Sequence, residues 1–481
     1  MKKFISFLMS ALLLAGMAFG LSGCGKDNSY NGYVDEDGVA HVVFMGRDVE
    51  TEKANYQRVV DKFNASQKKI KVRLEWFTNS QGYNTMLDGL GKNLPDCLML
   101  SNAMFLRYVS AGKLYDYKDR VTQDDLDCLY EQGYSAYCYD PETHALGLGE
   151  NAGLYGLPKD MGPIAMCYNA KLLTEKVNAY NATAAEADKI DYARVTDPKN
   201  PMKFSEFLAL GKKLQPLMGK DYYVCSGYDL QSAVYSNNAN FYTGDTATTA
   251  SVNTDNFIGA IEFMQDLYKY NIVPNAGTIS SGAAELFTSG YSIFFYAGPW
   301  QTKDFWAAIG DSFTWDLVPM LCGDAEGSVS TCYMGGMALC ASANSAVKDY
   351  AVEFLKYVAL DMDAQRSLYS NGQCIPNLVD LADEYANNSE NLLSRPEPAN
   401  RGVWLDCING SSETDKVSGR YRAEANTYNE NWYSFLTSYM SEGDHGSFWG
   451  SNGKFANVRE ALTAYNAQLQ QDLDEARSYL D

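Results

Sequence analysis

The chain is poor in the residues on which much enzyme chemistry depends. Its 481 residues include only three histidines, at positions 41, 144 and 445, and none of its eleven cysteines belongs to a C-x-x-C pair. Zinc sites and Ser-His-Asp triads need such residues, so the composition disfavours both. No G-x-G-x-x-G or G-x-x-x-x-G-K motif occurs at a predicted strand-to-helix turn, which disfavours nucleotide binding. We therefore expect no catalytic residues, no cofactor and no metal site.

Positive charge is scarce as well. The chain has 39 Lys and Arg against 60 Asp and Glu, which gives a formal net charge of −21. Nucleic acids and anionic lipid surfaces are bound through clustered basic residues, so we expect neither as a partner. With 46% hydrophobic and 21% charged residues the composition is that of a folded protein, and the length predicts two or three domains. We expect a monomer.

Long apolar runs are absent except at the N-terminus. Lys2 and Lys3 precede an apolar stretch from Phe4 to Gly20, and Leu21-Ser22-Gly23-Cys24 closes it. This order predicts a secretory signal over residues 1–23; an uncleaved anchor or an ordinary signal are the alternatives. The closing tetrapeptide resembles the lipobox of bacterial lipoproteins. That resemblance implies lipidation of Cys24, attachment to the outer face of the cell membrane by lipid, and a polar tether over residues 24–38.

Apolar periodicity after the tether alternates between strand and helix. His41–Met45 predicts a buried strand, and apolar residues at helical spacing predict a helix over Asn55–Phe63. Ile70–Phe77 alternates as a half-buried strand does. A helix over Tyr83–Leu90 and a strand over Cys97–Leu100 follow. Strand, helix, strand, helix, strand is typical of a parallel α/β sheet.

Short motifs continue in a fixed order through residues 41 to 378. Each motif is unspecific, but their order and spacing together are specific. They are Phe63-Asn64, Ile70-Lys71-Val72-Arg73-Leu74, Leu94-Pro95-Asp96, Ala111-Gly112-Lys113-Leu114, Tyr155-Gly156-Leu157-Pro158, Met166-Cys167-Tyr168-Asn169, Met202-Lys203-Phe204-Ser205-Glu206-Phe207-Leu208, Leu286-Phe287-Thr288-Ser289-Gly290, Ala297-Gly298-Pro299-Trp300, Asp316-Leu317-Val318-Pro319, Gly335-Gly336, the run Ala351–Leu360, Gly372 and Pro376. In this order they resemble the family 1 extracellular solute-binding proteins, the maltose-binding-protein-like, sugar-capturing subunits of bacterial ABC importers.

The resemblance implies a periplasmic-binding-protein-like α/β fold. Two α/β lobes would be joined by a multi-crossing hinge, with a ligand cleft between them that closes by hinge motion. Lobe 1 would comprise residues 39–160 plus 318–372, and lobe 2 residues 163–315 plus 376–481. The implied partners are a mono- or oligosaccharide, two permease subunits in the membrane and, through them, a cytoplasmic ATPase.

A sugar site needs an aromatic platform beneath the ring and polar groups at its edge. Trp300 lies in the motif whose tryptophan stacks on sugar in the family, although a core tryptophan is the alternative. Asp48 follows the first strand, at the edge where open α/β sheets bind ligands; a helix cap or a solvated charge is the alternative. Asn102 follows the strand over Cys97–Leu100 at the equivalent edge.

Two further residues lie beside predicted crossings. Asp160 precedes the first crossing, and Tyr333 precedes the pair Gly335-Gly336, where backbone could approach a ligand. Trp404 and Trp449 fall in the poorly matched last hundred residues, where we expect packing. Two other functions stay open: a lipoprotein glycoside hydrolase, which would need a carboxylate pair, and a two-lobed receptor for a peptide or polyamine.

Overall fold

The computed structural model describes residues 30–478, except 49, 244–247, 275–281, 370–371, 373, 389–392, 394, 410–416 and 422–454. The predicted signal, lipidation at Cys24 and Trp449 lie outside the described residues. None of the helices in the described ranges combines the length and the apolar composition that crossing a membrane requires.

The strands, numbered along the chain, are β1 Tyr33–Val34, β2 Ala40–Arg47, β3 Ile70–Phe77, β4 Cys97–Ser101, β5 Cys138–Asp140, β6 Ala145–Leu146, β7 Gly153–Leu154, β8 Leu157–Pro158, β9 Gly162–Pro163, β10 Ala165–Asn169, β11 Tyr223–Cys225, β12 Tyr242–Thr243, β13 Thr249–Ala250, β14 Ser292–Ala297, β15 Trp315–Val318, β16 Ser330–Gly335, β17 Met337–Ala341 and β18 Val417–Tyr421.

The α-helices are α1 Glu50–Ser66, α2 Ser80–Leu90, α3 Asn102–Ser110, α4 Gln123–Asp127, α5 Glu131–Ser135, α6 Ala170–Asn181, α7 Tyr192–Val195, α8 Phe204–Leu214, α9 Leu230–Ser236, α10 Asp255–Lys269, α11 Ala283–Thr288, α12 Thr302–Ile309, α13 Lys348–Leu360, α14 Met362–Tyr369, α15 Val379–Asn387, α16 Gly402–Asn409 and α17 Val458–Arg477. Short 3₁₀ turns occur at Lys118–Arg120, Glu186–Asp188, Gln215–Leu217 and Pro299–Gln301.

The first sheet has the order β1-β2-β4-β17-β8, with β3 also paired to β2. β2 is parallel to β3 and to β4, which confirms the predicted strands and helices between residues 41 and 100. Alternate residues of these strands face two separate cores, one under α1 and α13 and the other under α2 and α3. A sheet buried on both faces explains why the run at β4 is continuously apolar.

The second sheet has the order β11-β14-β10-β15, and its helices share a third, larger hydrophobic core. β10 is antiparallel to both β14 and β15, and β11 is parallel to β14. We call the body around the first sheet lobe 1 and the body around the second sheet lobe 2.

The chain crosses between the lobes near residues 159–162, where β8 of the first sheet leads to β9. β9 pairs with β16, and β16 packs in the lobe 2 core before β17 returns to the first sheet, so a second crossing lies at Gly336. This differs from the predicted boundary at 318, because β15 and the residues after it pack in lobe 2. The pairing favours a second lobe 1 segment that begins at Met337; the other predicted boundaries stay predictions.

The folded body begins before residue 39. β1 pairs antiparallel with β2, and the Gly32 N–H donates to the buried carboxylate of Asp96 at 3.1 Å. The same carboxylate accepts from the Val43 N–H at 2.8 Å and the Ser345 hydroxyl at 2.6 Å. Residues 30–38, which the prediction gives to the tether, are therefore fastened to lobe 1 by main-chain and carboxylate hydrogen bonds.

Candidate functional site

Strand ends from both lobes meet at the crossings. In lobe 1, Asp48 follows β2 and Asn102 follows β4; in lobe 2, Trp300 follows β14. Ligands of open α/β sheets bind at such strand ends, where loops leave the sheet.

Trp300 lies against glycines of both crossings. A Cβ atom placed on Gly298 would come within 2.1 Å of its Cζ3, one on Gly162 within 3.1 Å and one on Gly335 within 3.6 Å. The three glycines thus give the indole room to lie on the main chain where the lobes join. The side chain is nevertheless 37% exposed, so much of the ring remains accessible to another molecule. This is the arrangement that an aromatic platform requires.

Asn102 connects lobe 1 to the second crossing. Its backbone N–H donates to the Gly336 carbonyl and its Nδ2 donates to the Met334 carbonyl, each at 3.3 Å. The side chain is 6% exposed. Asn102 therefore lies at the same crossing as the glycines beneath Trp300, held there by the main chain.

Asp48 and Asp160 are brought together by Lys159. The Lys159 Nζ is 3.0 Å from Oδ2 of Asp48 and 3.2 Å from Oδ2 of Asp160. The lysine side chain is 1% exposed, that of Asp160 10% and that of Asp48 34%. A buried ammonium needs such partners, since an unpaired buried charge is strongly unfavourable. Exposure thus increases from the buried ammonium of Lys159 through Asp160 to the half-buried Asp48.

Electrostatics around Lys159 follow from these contacts. Burial alone would lower the pKa of Lys159, but Asp160 and Asp48 outweigh it and hold the pKa well above the ordinary value. Beside it, burial raises the pKa of the Tyr56 hydroxyl and of the Tyr369 hydroxyl. The lysine therefore stays protonated and both phenols stay neutral at ordinary pH.

Tyr333 is buried in lobe 2. It is 6% exposed, belongs to the lobe 2 core, and its N–H donates to the Ser232 hydroxyl at 3.1 Å. Its ligand role stays a prediction. Trp404 is fully buried, as expected of a packing residue.

Lys159 is the residue that sequence reasoning missed. Its one sequence signal is a charge placed directly between the apolar strand β8 and Asp160. The described residues contain no group of three His, Cys, Asp or Glu side chains placed to hold a metal ion. The site therefore offers an accessible indole, carboxylate acceptors and an amide around the crossings.

The chain belongs to a known class of binding proteins. Residues 58–392 match the family described as bacterial extracellular solute-binding protein. This membership and the fold of its structural neighbours confirm the predicted family and the predicted two-lobed α/β architecture. The proteins of this family and the structural neighbours named below are binding proteins and not enzymes. Membership of the family implies an extracytoplasmic location.

Individual relatives are similar to this chain, although their sequence identity to it is low. The galactooligosaccharide-binding protein of Bacillus subtilis (strain 168) is 24% identical over 385 residues, which cover 78% of this chain and 81% of the relative. An ABC substrate-binding protein from Listeria monocytogenes, solved in complex with cycloalternan, has a TM-score of 0.68 at 16% identity and covers 90% and 99% of the two chains. UgpB from Mycobacterium tuberculosis, solved with glycerophosphocholine, has a TM-score of 0.67 at 14% identity and covers 90% and 98%.

Proposed function

We propose that this protein is the substrate-binding component of an ABC importer and captures a mono- or oligosaccharide in the cleft between its lobes. Closure around the sugar would present both lobes to two membrane permease subunits, which a cytoplasmic ATPase drives. The protein itself would make and break no bonds and would need no cofactor.

The observation that carries the proposal is the position of Trp300. The indole is 37% exposed and lies near Gly162 and Gly335 at the two crossings, and from this position it would offer its face to a ligand in the cleft. Sugar rings have an apolar C–H face that packs on such a surface. The galactooligosaccharide-binding relative gives independent support for a sugar as the ligand class.

The polar side of the proposed site is formed by Asp48, Asp160 and Asn102. Carboxylates accept hydrogen bonds from hydroxyl groups, and charge-assisted bonds of this kind are among the stronger ones. In a closed, dry cleft each unsatisfied polar group costs about 1–3 kcal/mol, so such a set selects ligands by where their hydroxyls lie.

The same contacts argue against the glycoside hydrolase alternative. A hydrolase needs one carboxyl group held protonated as the acid and another held ionised. Asp48 and Asp160 instead both contact the same ammonium, so the geometry does not set one of them apart as the acid. Sugar incubation should accordingly return the sugar unchanged.

We further propose that Cys24 carries the lipid that keeps the protein at the outer face of the cell membrane, as a monomer. The full-length wild-type protein should be recovered in the membrane fraction, and the Cys24→Ser variant should be recovered in the soluble fraction. Wild-type protein recovered without lipid in the soluble extracytoplasmic fraction would contradict the anchor.

A ligand panel tests the binding function. Thermal unfolding should shift upward with one group of oligosaccharides, because a ligand that binds only the folded state stabilises it by mass action. Titration calorimetry should then give saturable binding of one sugar per chain. A peptide, a polyamine and glycerophosphocholine belong in the same panel. A shift with one of these and with no sugar would overturn the sugar assignment.

A further inference from the structure

We infer that Lys159 is a positioning residue that sets Asp48 and Asp160 for the ligand. This inference rests on the proposed function of the cleft. Its basis is geometric: one ammonium, 1% exposed, contacts both carboxylates, and these two side chains are the more accessible members of the group.

The backbone of Lys159 is fixed by two other segments. Its N–H donates to the Met337 carbonyl at 2.6 Å, directly after the second crossing. Its carbonyl accepts from the hydroxyl of Tyr369 at the end of α14. The position of the ammonium relative to the two crossings is therefore fixed through the backbone. The ammonium in turn fixes the positions of the two carboxylates that bind it.

Removal of the ammonium would leave carboxylates of like charge close together. Other titratable groups that face this position include Glu52 and Tyr56 of α1, Tyr369 of α14 and Cys374. None of these can supply a positive charge. Two carboxylates that share a site without a cation cannot both ionise easily, so the pKa of one rises. The charge of the ligand-facing acceptors would then depend on pH.

The test compares the Lys159→Met variant with the wild type. Lys159→Arg is a second variant, which keeps the positive charge, and Lys220→Met is the control at an exposed lysine. The affinity for the sugar identified in the panel is measured from about pH 5 to about pH 8. Wild type, K159R and K220M should show affinities that do not vary with pH. K159M should bind at least tenfold more weakly at about pH 5 than at about pH 8, because a protonated carboxyl group is a poorer acceptor.

A purely structural lysine would give a different result. Loss of packing would weaken K159M by the same factor at every pH, and that outcome would overturn the inference while leaving the binding function intact. Failure of the wild type to bind any sugar would instead overturn the proposed function.

A second measurement needs no ligand. In K159M the raised pKa of one carboxyl group adds stability at low pH that is lost as pH rises. The midpoint of thermal unfolding should therefore fall further below that of the wild type at about pH 8 than at about pH 5. Adding Asp48→Asn to K159M removes one carboxylate and should abolish this pH dependence. An unfolding difference of equal size at both pH values would contradict the role of Lys159.

Discussion

The indole Nε1 of Trp404 donates a hydrogen bond to the carbonyl oxygen of Ala297 at 3.3 Å. This bond ties α16 to the last residue of β14, directly before the turn that carries Trp300. The buried tryptophan therefore holds, from the lobe 2 side, the segment that leads to Trp300, the proposed platform.

Trp404→Phe should lower the free energy of unfolding by about 1 kcal/mol or slightly more, because it removes this hydrogen bond and leaves a buried carbonyl without its donor. Trp404→Ala should cost about 3–5 kcal/mol, since it also leaves a cavity. Chemical denaturation measures both. Equal stability of W404F and wild type would show that the bond makes no net contribution.

Trp300→Ala should weaken sugar binding at least tenfold, which corresponds to about 1.4 kcal/mol of lost binding free energy, while thermal stability without ligand changes little. Tyr291→Ala is the matched control, because Tyr291 is a similarly exposed aromatic directly before the other end of β14. Titration calorimetry with the sugar measures the affinity of each variant. Unchanged affinity in W300A, or an equal loss in Y291A, would remove the platform assignment.

Gly298→Ala should also weaken sugar binding while the lobe stays folded. The backbone of Gly298 has φ −97° and ψ 166°, which alanine adopts without strain, so the effect comes from the new methyl group alone. That group would lie 2.1 Å from Cζ3 of Trp300 and must displace the indole. Gly89→Ala is the control, because a Cβ atom there meets nothing within 4 Å and α2 should gain about 0.5–1 kcal/mol. Wild-type affinity in G298A would show that the indole position is not critical.

Asp125→Asn should reduce stability at neutral pH but not in acid. Burial opposes ionisation of Asp125, yet hydrogen bonds from Lys356 at 2.6 Å and from Thr122 at 2.8 and 2.9 Å outweigh it and lower its pKa. A lowered pKa gives stability that is present above the unfolded value of about 4 and lost as pH falls through the folded value.

Chemical denaturation at about pH 7 should therefore show that the free energy of unfolding of D125N is about 1–2 kcal/mol lower than that of the wild type. This difference should be smaller at about pH 3. Asp124→Asn, at the exposed neighbour on the same helix, is the control. A deficit in D125N that is independent of pH would mean that the ion pair with Lys356 is not its source.

Much of the lobe 1 framework could be predicted, because strands and helices leave periodic patterns. β3 runs over Ile70–Phe77, as predicted, and β2 and β4 extend their predicted runs by one or two residues at an end. The predicted return to lobe 1 at 318 adjoins Pro319, but β15 before it pairs in lobe 2, and the crossing lies at Gly336 instead. A proline indicates an extended backbone but not which sheet receives it.

The amino-acid sequence alone determined the family, the alternation of α and β elements and the candidate Trp300, because these depend on local periodicity and on short motifs in a fixed order. Tertiary structure alone decided that Lys159 joins Asp48, 111 residues away along the chain, and that glycines from two crossings lie beneath one indole. The physical reason is that the partners of a buried charge, and the backbone beneath an aromatic ring, come from segments that are distant in the sequence. No local sequence pattern shows which distant segments will be in contact.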